Sequence, residues 1–133
     1  MHKRTLLQTA AALALLGATG VSLAQDNVFK IGLILPMTGQ QASTGKQEDA
    51  AVKLWIAQNG ATVAGRKVEV ILKDDGGVPD ATKRIAQELI VNDKVDVLLG
   101  FGITPSAFAT APIATQSKTP MVVSAAATRC SQR

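Results

Sequence analysis

Four short apolar runs, separated by helix-length stretches, constrain this chain more than any other feature. Phe29 to Leu35 is apolar and β-branched, and Pro36 ends it. Lys67-Val68-Glu69-Val70-Ile71-Leu72-Lys73 is a second strand, closed by the turn Asp74-Asp75-Gly76-Gly77. Val95 to Leu99 is a third, almost wholly apolar, as expected of a strand covered on both faces. Met121 to Ser124, after Pro120, is a fourth. The implied order is β-α-β-α-β-α-β. That order predicts an α/β fold with a parallel sheet, right-handed crossovers and helices on both faces.

The intervening segments carry helix signals. Ser43 or Thr44 is expected to cap the first helix, because a hydroxyl oxygen accepts an unpaired N–H of the first turn. Glu48 and Asp49 are then expected near its positive end. Ala51, Leu54, Trp55 and Gln58 follow i, i+3, i+4, i+7 spacing, which predicts an inward stripe that packs Trp55. Asn59-Gly60 is the stop. Pro79 suits the first turn of a second helix running to about Asn92, with Ala81, Ile85, Ala86 and Leu89 buried. A third helix follows Thr104-Pro105, with Thr104 as its cap, and runs to about Ser117. Pro112 lies inside it and predicts a kink or a break.

Composition narrows what such a chain can do. At 47% hydrophobic and 18% charged it has the balance of a globular domain rather than a disordered chain. Residues 1–24 have the pattern of a secretory signal peptide. His2, Lys3 and Arg4 form the basic start, Leu6 to Leu16 the apolar core, and Ser22-Leu23-Ala24 a small-residue site for cleavage before Gln25. The apolar core is shorter than the ~20 residues that span a bilayer. No cysteine follows the cleavage point, so a periplasmic product without a lipid anchor is expected.

The net charge of +4 shrinks once that segment is set aside. Without Lys3 and Arg4, 12 basic residues face 10 acidic ones, and without Arg129 and Arg133 the numbers are equal. A basic nucleic-acid face is not supported. The single histidine, His2, and the single cysteine, Cys130, leave no histidine-based hydrolase triad, no intrachain disulfide and no cysteine zinc cluster. No metal and no cofactor is expected.

In an open α/β sheet, ligands bind beyond the carboxyl ends of the strands. The loops leaving those ends are residues 36–45, 74–79, 100–106 and 124–128, rich in Gly, Ser and Thr and poor in charge. Neutral hydroxyls and free N–H groups at helix starts suit a small carboxylate or zwitterion, not proton transfer. Gly100-Phe101-Gly102 is half of a dinucleotide fingerprint, but it follows the third strand and lacks the third glycine. Asp74-Asp75 could act as an acid–base pair. Adjacent to each other and followed by two glycines, they fit a turn better.

These residues carry a family resemblance. Lys30-Ile31-Gly32-Leu33-Ile34-Leu35-Pro36-Met37-Thr38-Gly39, with Gly45 before a helix ending Asn59-Gly60, resembles the leucine/isoleucine/valine-binding proteins. These are type I periplasmic substrate-binding proteins of ABC importers. Gly65 to Val70 leading to Asp74-Asp75, Val95 to Gly100, and Thr119 to Thr128 are similar too. The resemblance covers residues 29–128 and implies a two-lobed fold of which residues 25–128 form the N-terminal part of lobe one. Residues 129–133 stand off the pattern.

By the same resemblance, Thr104, Ala126 and Thr128 hold the ligand's amino and carboxylate groups, and Ser43 or Thr44 matches a first-loop contact. Many relatives have serine at the position of Thr104 and an aromatic contact in the first loop. Ala61 replaces a common second glycine. The implied partners are a small-molecule ligand, an amino acid or related carboxylate, and an ABC permease complex in the inner membrane.

The expected function is non-enzymatic solute binding for uptake. A ligand-sensing domain of a receptor or regulator with the same fold is the alternative. A secreted enzyme would need a base, and after residue 24 only carboxylates and lysines are available.

Overall fold

The computed structural model describes residues 27–125. The signal segment 1–24, the tail 129–133, Ala126 and Thr128 therefore lie outside the described residues. The elements are β1 (Val28–Leu35), α1 (Ala42–Asn59), β2 (Thr62–Val63), β3 (Arg66–Asp74), α2 (Pro79–Val91), β4 (Val97–Gly100), α3 (Thr104–Ser117) and β5 (Met121–Val123).

They form one five-stranded sheet in the order β2-β3-β1-β4-β5. All pairs are parallel except β2 with β3. The expected parallel α/β sheet is present. The sequence reading missed β2, a two-residue antiparallel edge strand made by the chain turning through Ala64-Gly65. Both turn residues have positive φ, at 50° and 77°.

Side chains alternate across the sheet, so each strand feeds two layers. On one face, Ile34 and Leu98 join Ile85, Ala86 and Leu89 of α2 and Ala107 and Ala114 of α3 in the main core. Gly32 faces the same way. A Cβ there would come within 3.0 Å of Leu89, 3.1 Å of Leu98 and 3.3 Å of Val95. Burying each large apolar side chain here contributes about 1.5–3 kcal/mol before entropy is subtracted. α2 behaves as its pattern predicts, with Pro79 in its first turn, but its buried face also includes Thr82, while Ala81 is only half-buried.

The opposite face carries α1 alone among the described residues, and there the expected stripe is wrong. Ala51, Leu54, Trp55 and Gln58 all point outward, with Leu54 58% and Trp55 49% exposed. The sheet-facing positions are Gly45, Glu48, Val52 and Ile56. The helix also starts earlier than expected. Gln41 is the cap residue, and no side chain caps the end. Backbone turns do that work instead. The Gln41 carbonyl accepts from the N–H groups of Thr44 and Gly45, at 3.1 and 3.2 Å. Ser43 and Thr44 are therefore first-turn residues, and Glu48 and Asp49 fall beyond the first turn.

At α3, Ile103 takes the cap position and Thr104 is the first helical residue, again with no side-chain cap bond. Pro112 does not break the helix, which continues to Ser117. Proline costs a helix the bond to the carbonyl four residues back. Here that carbonyl belongs to Phe108, which is 62% exposed, so water can serve it.

Candidate functional site

β1 lies between β3 and β4, so the direction in which successive strands are added reverses beside it. The loop after β1 leads to α1 on one face, and the loop after β4 leads to α3 on the other. This is a topological switch point, where α/β sheets open a crevice at the carboxyl edge.

The two loops meet there at van der Waals distance. A Cβ on Gly102 would lie 2.5 Å from Cγ of Pro36, and one on Gly45 2.3 Å from the Pro36 carbonyl oxygen. Gly100 has φ +116°, and a Cβ there would strike the Ile34 carbonyl oxygen at 2.3 Å. Gly100 and Gly102 are thus explained by close backbone approach, not by a nucleotide fingerprint. Between them, Phe101 is fully buried with φ +70°, and its N–H donates to the Ile34 carbonyl at 2.9 Å. A left-handed non-glycine residue costs about 1–2 kcal/mol. Burial of the phenyl ring offsets that cost and aims residues 102–104 toward the edge.

The paired aspartates have separate structural tasks. Asp74 closes β3 and clamps the first loop. Its Oδ1 accepts from the N–H groups of Met37 at 2.8 Å, Thr38 at 3.3 Å and Gly76 at 2.8 Å. Its Oδ2 accepts from the Thr38 hydroxyl at 2.8 Å. Desolvation pushes this carboxyl upward, but the bonds from Gly76, Thr38 and Met37 outweigh it and hold the group below its ordinary value of 3.8.

Asp75 is 3% exposed. Its Oδ2 accepts from the Thr82 hydroxyl at 2.6 Å and its Oδ1 from the Gly77 N–H at 3.0 Å. The Thr82 and Ser106 hydroxyls lie 2.8 Å apart, both fully buried. This chain joins the first turns of α2 and α3 beneath the edge. Neither carboxylate is placed as an acid–base pair.

A third carboxylate, Glu48, accepts a short hydrogen bond from the Ser124 hydroxyl. The Asp75–Thr82–Ser106 chain and the Glu48–Ser124 bond escaped the sequence reading. Hydroxyl residues on otherwise apolar helix faces, at Thr82, Ser106 and Thr110, were the available signal for the first of these.

Ser43 and Thr44 occupy the first turn of α1, and Thr104 that of α3. Ser43 is exposed, while Thr44 and Thr104 are half-buried. All three belong to elements that begin at this one edge. Among the described residues, no group of three His, Cys, Asp or Glu side chains could hold a metal ion. No helix among them is long and apolar enough to cross a membrane.

A doubly wound sheet with hydroxyl side chains at its carboxyl edge has the architecture in which α/β domains open ligand crevices. A family model described as periplasmic binding protein matches residues 28–133, and the chain belongs to that family. The chain is 41% identical over 111 residues to Leu/Ile/Val-binding protein homolog 6 of Brucella abortus (strain 2308). That match covers 80% of this chain and 28% of the relative, so the chain spans 28% of the length of the curated relatives it matches.

Two solved structures are also similar. One is a solute-binding protein of an ABC transporter from Rhodopseudomonas palustris BisB5, in complex with 3,4-dihydroxybenzoic acid. It is 68% identical, with a TM-score of 0.76, over 77% of this chain and 28% of that one. The other comes from Rhodopseudomonas palustris HaA2, in complex with p-hydroxybenzoic acid. It is 42% identical, with a TM-score of 0.72, over 76% and 28% of the two chains. The fold is that of part of one lobe of a two-lobed periplasmic binding protein.

Proposed function

We propose that this chain forms one wall of the ligand cleft of a periplasmic solute-binding protein serving an ABC importer, and that the ligand is a small hydroxylated aromatic carboxylate. The observation that carries the ligand class is the 68% identity to the protein seen with 3,4-dihydroxybenzoic acid. The relative named for Leu, Ile and Val is 41% identical.

The chemistry of the edge agrees. The positive ends of the α1 and α3 dipoles favour a carboxylate, although backbone turns already take up several of the first-turn N–H groups. Hydroxyls of Ser43, Thr44 and Thr104, with those implied for Thr128 and the backbone of Ala126, both donate and accept, as phenolic groups require. On this proposal the ligand is bound and released unchanged, as in the solute-binding family the chain belongs to. In this reading the partner is an inner-membrane permease complex, and the leader 1–24 takes the protein to the periplasm. The receptor alternative finds no support in the relatives reported above.

The test is a chimera in which residues 28–128 replace the corresponding segment of the BisB5 protein. Calorimetry should show micromolar or tighter binding of 3,4-dihydroxybenzoate, and Thr104→Val should weaken it about tenfold, the value of one hydrogen bond to a charged or polar ligand group. A folded chimera that binds leucine and not 3,4-dihydroxybenzoate would overturn the ligand class.

A further inference from the structure

Glu48 sits on the sheet-facing stripe of α1, where Gly45, Val52 and Ile56 are its neighbours in sequence pattern. An apolar side chain would fill that position at no electrostatic cost. A glutamate there has one carboxylate oxygen, Oε2, bonded to the Ser124 hydroxyl. The other, Oε1, is buried with no hydrogen-bond partner. A buried carboxylate oxygen left unpaired is destabilising, and replacing such a group with an apolar one is often neutral or favourable. Packing therefore does not explain Glu48.

Its partner's location does. Ser124 is the first residue past β5, and its N–H donates to the Gly100 carbonyl at 2.9 Å, the last rung between β4 and β5. Its hydroxyl also lies 3.0 Å from that carbonyl. Gly100 opens the loop to Thr104, and Ser124 is where the chain leaves β5. One side chain from α1 thus reaches the point where both candidate ligand loops leave the sheet.

We propose that Glu48 is a positioning residue for the binding edge. It fixes Ser124 against Gly100 and so sets where the 100–104 loop and Ser124 itself present their donors. The inference rests on the solute-binding reading for its consequence, but not for its geometry.

Two measurements separate the two. In the 133-residue chain, amide hydrogen exchange at Ser124 reports the rung directly. Glu48→Leu should speed exchange at Ser124 by about tenfold, while the thermal midpoint stays level or rises. Glu48→Gln keeps an oxygen acceptor for the hydroxyl and should stay within about threefold of the parent. Ser124→Ala removes the donor and should match Glu48→Leu, which covers the case in which the leucine variant fails to fold.

In the chimera, Glu48→Leu should weaken 3,4-dihydroxybenzoate about tenfold, with Glu48→Gln restoring most of the loss. Unchanged exchange at Ser124 in both Glu48→Leu and Ser124→Ala would overturn the proposal, whether or not the chimera binds. Altered exchange with unaltered affinity would overturn its role at the edge. A parent chimera that binds nothing would count against the ligand reading alone, and the exchange data would still judge Glu48.

Discussion

At the scale of single residues, the carboxyl edge is organised by contacts that tolerate little change. Gly45→Ala would place a methyl group 2.3 Å from the Pro36 carbonyl oxygen. Backbone must then shift, so the variant should lose about 1–3 kcal/mol in denaturant unfolding. Asp74 offers a pH test. Its folded-state carboxyl lies below the ordinary value of 3.8, so its contribution is complete above that value. It is lost as pH falls through the folded-state value. Asp74→Asn should therefore flatten the acid limb of the stability profile and release the Met37 and Thr38 amides to faster exchange. Solvent screening at this exposed position holds the loss at neutral pH to about 1 kcal/mol.

Residue identity made some of this legible. Asp-Asp-Gly-Gly announces a turn, and a turn is there. Which aspartate points down into the core and which clamps the neighbouring loop depends on the loop after β1, 37 residues away in sequence from the Asp74 contact with Met37. Local pattern contains no trace of that. The caps illustrate the same limit. Ser43, Thr44 and Thr104 are suitable cap residues, but backbone turns and extended cap residues begin both helices one to three positions earlier.

At the scale of elements, α2 and α3 are joined by a buried polar chain, and α1 is joined to the sheet by very little. Thr82→Val would strip the Asp75 carboxylate of its 2.6 Å donor and leave Ser106 without its hydroxyl neighbour. A cost of about 2–3 kcal/mol follows for a buried charge losing one of its bonds. Thermal unfolding of the variant checks it.

The opposite expectation holds for α1. Trp55 is half exposed, so Trp55→Lys should change stability by less than about 0.5 kcal/mol. The parent indole, the only one in the chain, should emit as a partly hydrated one. The strands and helices were readable because strands buried on both faces are nearly continuous in apolar residues, and because Pro and Gly punctuate them. The face of α1 was not. Its apolar residues at 51, 54 and 55 repeat with helical spacing, which fixes a stripe but not the direction it points. The remote sheet contacts of Gly45 and Glu48 decide that. β2, at two residues, is too short to carry any period at all.

At the scale of the whole molecule, the two faces of the sheet are covered unequally. Across the α1 face of the sheet, Leu33 is 1% exposed while Val122, two strands away in the same row, is 51% exposed. A small ligand gains affinity when most of its surface is enclosed. Two or three hydrogen bonds on an open edge, each worth roughly 0.5–1.5 kcal/mol net, do not exceed the cost of immobilising the ligand. The 133-residue chain alone should therefore show no saturable heat with leucine, isoleucine, valine or 3,4-dihydroxybenzoate at micromolar concentration. Joined to a second lobe, the same residues should bind one small ligand tightly. Micromolar binding by the chain alone would show that a single wall suffices.

The interlock of Gly102 and Gly45 with Pro36 bears on how fast such a protein works. A loop and a helix start packed this closely on one proline should need little further ordering by a ligand. If the proposed site forms here, this edge should add little to the entropic barrier of capture. Association should run near the rate at which a small molecule finds an open, rigid cradle. Residence time would be decided by whatever shuts over it, so substitutions at the interlock should slow arrival, and substitutions elsewhere should hasten escape.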